Sequence, residues 1–190
     1  TDRFVPAIKL LNQFTEVVNV DSGVDYRLRT LEQAELYHHP LDSEANSSLE
    51  KSFQGLIADP RHVEANSSVE ILGRKIPAKA VCDDIAWFDF YALCDGPRSQ
   101  NDYIELGKLF HAVIVSDVPA MGSKNDDLAR RFINLIDEFY DRGVKVIMSA
   151  DAPIPDIYST GKLEFEFQRT TSRMLEMQSH EYLAREHRPD

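Results

Sequence analysis

Long apolar runs, cysteines and glycine-built phosphate loops are all scarce in this chain, and each scarcity excludes something. No stretch approaches the roughly 18 apolar residues of a membrane-spanning helix, so no segment reads as a span. Cysteine occurs only at Cys82 and Cys94. Two thiols make no disulfide framework and match no metal-ligand spacing, so both read as reduced, partly buried residues of a cytosolic protein. A P-loop reads Gly-x-x-x-x-Gly-Lys-Ser/Thr. The pairs Gly107-Lys108 and Gly161-Lys162 would need a glycine at 102 or 156, where Asp102 and Asp156 stand, and Leu109 and Leu163 replace the hydroxyl residue. Without that amide cradle these residues have no means of gripping a triphosphate. The Gly-x-Ser-x-Gly elbow of an esterase is missing too.

Charge is lopsided: 32 acidic against 21 basic residues give a net −11. Such a surface repels phosphate backbones and anionic lipid, so nucleic acid and membrane are disfavoured partners. The basic clusters Arg27-Leu28-Arg29 and Arg130-Arg131 are flanked by acids and read as solvated charge. With 190 residues, 43% of them hydrophobic, the chain can bury an ordinary core in one or two domains.

Apolar spacing predicts a helix over 4–14, a short strand over 16–21, a turn at Ser22-Gly23, a further strand within 25–41 before Pro40, and a helix over 43–57. The polar stretch 59–68, with Pro60, reads as an exposed loop or boundary. A hairpin turning at Gly73 follows, within 69–81. Strands are expected at 85–90, 112–115 and 144–148, and helices at 101–110, 126–142 and 165–184. The clearest helix carries Leu128, Phe132, Leu135, Ile136 and Phe139 as one stripe, with Asp126 and Asp127 at its start and Gly143 at its end. Strands alternating with helices imply an α/β fold of parallel strands joined by crossover helices in three layers, plus a small β-hairpin insertion. The expected division is into residues 1–60 and an α/β domain over 61–190.

Ligands of open parallel sheets bind where the strands end. Here those ends read Ser116-Asp117 and Ser149-Ala150-Asp151. Asp117 has the outline of a metal-holding carboxylate and Ser149 that of a polar sensor. Polar residues also end strands for structural reasons, and Val118 stands where a nucleotide site has Glu, so the structural reading is favoured. The adjacent pairs His38-His39 and Asp83-Asp84 face opposite sides of a strand and cannot share an ion, so no metal site is expected. His111, at a helix-to-strand joint, reads as a satisfied structural histidine. An independent α/β enzyme using Asp117 and Asp151 would need a closed pocket holding both.

Longer phrases carry more. Val20-Asp21-Ser22-Gly23-Val24-Asp25-Tyr26-Arg27-Leu28-Arg29, Gly96-Pro97-Arg98-Ser99-Gln100-Asn101-Asp102-Tyr103, Ala129-Arg130-Arg131-Phe132-Ile133 with Asp137-Glu138-Phe139-Tyr140, and Glu176-Met177-Gln178-Ser179 with Glu181-Tyr182-Leu183 span nearly the whole chain. In that order they resemble the C-terminal part of the ZapE/AFG-like family of AAA-like P-loop ATPases, in wording nearest its bacterial cell-division branch. The resemblance implies ATP hydrolysis with ATP and Mg bound through segments upstream, no nucleotide bound by this chain alone, residues 1–60 as the end of the ATPase core and the segment after it, self-association through that core, FtsZ or another protein as client, and a cytoplasmic place at the division site, peripheral to the membrane and without a transmembrane segment. The opening Thr1-Asp2-Arg3-Phe4, with no initiator Met, fits a piece of such a protein. The resemblance also places an arginine finger at Arg3, although Thr1 stands where the pattern has its first Arg. Arg27 is a phosphate-sensing candidate, with a partnership to Asp25 or a carbonyl as its structural alternative. For Arg98 and Arg169 the structural reading is preferred. A client-binding module without catalysis of its own is the alternative function.

Overall fold

The computed structural model describes residues 23–190; the expected helix over 4–14, the strand over 16–21 and Arg3 lie outside them. In chain order the elements are α1 (Gly23–Gln33), β1 (Tyr37–His38), α2 (Ala45–Leu56), β2 (Glu64–Ile71), β3 (Arg74–Cys82), β4 (Ile85–Asp89), α3 (Phe90–Cys94), α4 (Gln100–Leu109), β5 (Ala112–Val118), α5 (Asp126–Asp141), β6 (Lys145–Ala150), α6 (Glu164–Glu176) and α7 (His180–Leu183). One six-stranded sheet runs in the order β1-β6-β5-β4-β3-β2. Strands β4, β5, β6 and β1 pair in parallel, while β3 and β2 add on antiparallel. The fold is therefore α/β, and the expected hairpin is the antiparallel end of the same sheet.

The continuous apolar run of β5 is explained by cover on both faces. Val113 and Val115 point into one core with Phe88, Phe132, Leu135 and Phe139. Ala112 and Ile114 point into the other, with Trp87, Leu49, Phe53 and Leu31. The α5 stripe packs as its spacing predicts: Phe132, Leu135, Ile136 and Phe139 are fully buried. Helices α4, α5 and α6 thus cover one face and α1 and α2 the other, which makes three layers, while α7 sends Tyr182 into the first core and Leu183 into the second.

Three segments differ from the sequence expectation. Residues 23–33 form a helix, and the strand before Pro40 shrinks to Tyr37–His38. Tyr26, Leu28 and Thr30 alternate with charged residues and imitate a strand. The helix wins because it lays Leu28 and Leu31 against the Leu49–Phe53 core. Residues 64–68 belong to strand β2 rather than to a loop. Their polarity suits a strand at the sheet's margin, where one side has no core to face. The expected helix over 165–184 breaks in two, because the Ser179 hydroxyl accepts from the Tyr182 backbone N–H at 3.2 Å and caps a new helix.

Beyond α7 the tail lies across the N-terminal edge of the parallel strands. Arg188 N–H donates to Arg142 O at 2.8 Å, and the Lys145 ammonium donates to Gly143 O at 2.6 Å and Arg185 O at 2.7 Å. Gly143 combines φ of +65° with close approach: a Cβ there would sit 2.6 Å from Glu186 O. It ends α5 and lets the tail pass. No helix among the described residues is long and apolar enough to cross a membrane.

Candidate functional site

The C-terminal ends of β4, β5 and β6 bring together residues far apart in the chain. β5 is irregular between Val115 and Val118, so Val118 still pairs with Ala150 and stays buried. Asp117 takes φ of +63°, a conformation aspartate tolerates better than most residues, and its carboxylate is 49% exposed. Its backbone N–H donates to the Ser149 hydroxyl at 3.0 Å. The two polar residues singled out from sequence therefore meet, but through a backbone amide. Asp151 donates its backbone N–H to Val118 O at 2.9 Å and its residue is exposed. With both carboxylates open to solvent, the closed pocket required of an independent enzyme using Asp117 and Asp151 is not there, which overturns that expectation.

Two members of this edge escaped the sequence reading. Asp89, the last residue of β4, accepts from Tyr91 N–H at 2.9 Å as the N-cap of α3. Burial, then contact with Asp117, pushes its carboxyl above the usual range. Lys79 lies 3.6 Å from Asp117 and 5.5 Å from the Trp87 ring centre, holding an ammonium beside the carboxyl pair. Its signal in the sequence was faint: a lysine on a half-buried strand is common. A carboxyl pair with a nearby ammonium is acid–base chemistry in outline.

An acid whose folded pKa exceeds its unfolded value binds its proton more tightly when folded. The contribution of Asp89 is then fully present below the unfolded value of about 3.9 and is lost as pH rises through the folded value. Removing the neighbouring charge with Asp117→Asn is expected to lower the Asp89 midpoint and to flatten this acid limb of the stability profile. Carboxyl-carbon NMR titration reads it directly, and an unmoved Asp89 midpoint would show that the two groups do not interact.

The remaining candidates are dispersed. Arg27 forms a two-pronged ion pair with Asp84, both contacts at 2.7 Å. Burial opposes ionisation of Asp84, but the Arg27 hydrogen bonds outweigh it and hold its carboxyl below the usual range. Asp83 turns away to His62 at 3.1 Å, so the adjacent acids diverge. Arg98 donates from Nε to Ala92 O at 2.9 Å, and Arg169 pairs with Asp137 at 2.6 Å. His38 sits buried between Glu35 and Asp42, at 3.0 and 2.9 Å. His111 departs from expectation: its Nδ1 is buried and has no hydrogen-bond partner. The expectation of a satisfied histidine was wrong, because the ring faces the C-terminal tail, whose path the sequence does not disclose.

The family phrase at 96–103 builds structure instead of a site. Asp102, with no exposed surface, accepts from the Ser99 backbone N–H at 2.7 Å and the Ser99 hydroxyl at 3.1 Å, and pairs with Arg74 at 2.5 Å. Nearby, Glu138 accepts from Gln100 at 2.7 Å and Arg142 at 2.9 Å.

A magnesium–triphosphate group does not fit the described residues. They contain no group of three His, Cys, Asp or Glu able to hold a metal ion. The Lys79 ammonium occupies the flank of Asp117 where a cation would bind, and Arg27 is engaged by Asp84.

Known proteins are nevertheless closely similar. The family model for AFG1-like ATPases matches residues 1–186. The chain is 47% identical over 185 residues to Cell division protein ZapE of Escherichia coli K12, covering 97% of this chain and 49% of that protein. It is 31% identical over 212 aligned positions to Lactation elevated protein 1 homolog B of Danio rerio, covering 94% of this chain and 42% of that one. The chain therefore spans about half the length of the relatives it matches. No solved structure matches it. Since the family match covers almost every residue, the chain belongs to the AFG1-like ATPase family.

Proposed function

We propose that these residues are the C-terminal portion of an ATP-hydrolysing cell-division machine and serve it without gripping nucleotide themselves. The carrying observation is the 47% identity to Cell division protein ZapE combined with a sequence that holds no P-loop. In this reading ATP and Mg are bound by segments outside these residues. The chain contributes subunit contacts within an oligomer, and Arg3 reaches a neighbouring subunit as an arginine finger, stabilising charge on the transferring phosphoryl. Arg27 would sense phosphate only by exchanging Asp84 for it. The machine works in the cytoplasm at the division site.

Calorimetry of residues 1–190 with ATP and Mg is expected to give no binding heat. A micromolar dissociation constant would overturn the division of labour, since it would require a phosphate cradle that the sequence lacks.

A second reading, a client-binding module, is favoured by one observation: the described residues build a three-layer unit with two cores of their own. FtsZ is the client this reading names. Retention of FtsZ on the immobilised chain supports the module; passage of FtsZ without retention counts against it.

A further inference from the structure

Helices α1 and α2 cover one face of the sheet, and the chain between them passes through its end strand, β1. His38 of β1 is buried and stands between two carboxylates. Its Nδ1 lies 3.0 Å from Glu35 Oε1, in the connection from α1, and its Nε2 lies 2.9 Å from Asp42 Oδ1, in the connection to α2. Each carboxylate has other donors. Glu35 accepts from the Ser48 hydroxyl of α2 at 2.7 Å. Asp42 accepts from the Glu44 and Ala45 backbone N–H groups, both at 3.0 Å, and so satisfies amides at the start of α2.

A neutral imidazole carries one N–H and one bare nitrogen. Between two ionised carboxylates it makes only one of these contacts, and the other sets a nitrogen lone pair against a carboxylate oxygen. Both distances suit an imidazolium that donates twice. Moving the proton to a carboxylate is disfavoured. The Ser48 hydroxyl and then His38 hold Glu35 below the usual range, and His38 with the Glu44 and Ala45 amides does the same to Asp42. His38 is raised in turn, by Glu35 first and Asp42 second, with burial acting the other way.

The surroundings add little net charge. The ring lines a groove of about 740 Å³ between α1 and α2, to which α1 presents Tyr26, Thr30 and Gln33. Glu44, just ahead of α2, and Lys51 within it line the same groove with opposite signs. Ser149 of β6 is the register partner of His38, and His39 turns to the Tyr37 ring, with centres 6.0 Å apart. At the far end of the two helices Tyr26 donates to Gly55 O at 2.7 Å.

We propose that Glu35, His38 and Asp42 form a proton-operated staple: the protonated imidazole pins the start of α2 to the end strand, and loss of that proton releases it and opens the α1–α2 groove from this end while Tyr26 and Gly55 hold the other. A histidine that binds its proton more tightly in the folded state contributes stability in full below the unfolded value of about 6.5, and that contribution is lost as pH rises through the folded value. The two carboxylates set the opposite limit, since their contribution is present above about 4.3 and fades as pH falls through their folded values. The staple is therefore closed at mildly acidic pH and opens on the alkaline side. It stands apart from the ATPase reading, since it needs neither nucleotide nor the upstream segments.

NMR of this chain from about pH 5 to about pH 9 tests the staple by following two signals, the His38 ring and the Ser48 amide, which donates to Glu44 O in the first turn of α2. The expected His38 midpoint lies above about 6.5, and the protection of the Ser48 amide against hydrogen exchange is expected to fall about tenfold as pH crosses that midpoint. Glu35→Gln leaves the Asp42 contacts to the start of α2 in place. It is expected to lower the His38 midpoint and to move the step in Ser48 protection with it, while His62, held by Asp83, keeps its own midpoint. His38→Gln is expected to abolish the step. Circular dichroism reports the folding of both variants separately. The proposal is overturned if the unaltered chain gives a His38 midpoint at or below about 6.5, if Ser48 protection crosses the midpoint without a step, or if a folded Glu35→Gln variant leaves the midpoint where it was.

Discussion

Asp102→Ala is expected to destabilise the fold by about 3 kcal/mol, near the lower end of what removing one partner of a buried ion pair costs. Asp102 has no exposed surface and serves two masters. Its carboxylate caps the start of α4 through the Ser99 N–H and hydroxyl, and it anchors Arg74 of β3. Arg74 also donates to Pro97 O, so the loop before α4 and the hairpin strand are held by one cluster. Losing Asp102 leaves the Ser99 N–H without its acceptor and frees Arg74. Arg74 is 38% exposed and can turn to water, which keeps the cost from reaching the top of the range. Arg74→Ala leaves that buried carboxylate with only the Ser99 donors and is expected to cost a comparable amount, about 2–3 kcal/mol. Urea unfolding followed by circular dichroism measures both. A loss below about 1 kcal/mol for either variant would mean that this cluster does not hold the loop before α4 to the hairpin strand.

Phe132→Ala is expected to cost about 3–5 kcal/mol, the range for deleting a buried aromatic and leaving a cavity. Phe132 is fully buried on α5. Its ring lies 5.8 Å from Phe90 and 6.1 Å from Phe167, so it joins the helix after β4, the crossover helix and α6. Because all three elements lean on it, the space left behind cannot close by moving one side chain. Phe165 on α6 is 82% exposed, and Phe165→Ala is expected to change stability by less than about 0.5 kcal/mol. Equal losses for the two phenylalanines in a urea titration would mean that α6 packs through a different face.

How far the sequence could be read depends on which signal each segment carries. The stripe on α5 and the unbroken run in β5 were legible because burial on one face or two imposes its own period. Residue 143 was legible as a helix end because a glycine there can take positive φ. The strand before Pro40 was legible, at Tyr37–His38, but the helix at 23–33 ahead of it was not: only the distant Leu49 and Phe53 select its apolar face. The second half of β2 was legible as an arm of the hairpin, but residues 64–68 were read as a loop because that marginal stretch is held by backbone pairing with β3 and has no apolar period to detect. At the strand ends, Asp117 and Ser149 were visible as polar interruptions of apolar runs, whereas Asp89 and Lys79 became neighbours only through sheet register.

The sequence alone determined the α/β class, the crossover pattern of its second half, the lack of a P-loop and, through its long phrases, the family. These are matters of local period and of residue order, which need no third dimension. Tertiary structure decided that Asp102 is a buried hub, that Arg27 belongs to Asp84, that Asp89 meets Asp117, and that the tail encloses His111. Each of these depends on which side chains converge once the sheet closes and the tail folds back across its edge. Such pairings join residues tens of positions apart, and no spacing rule along the chain encodes them.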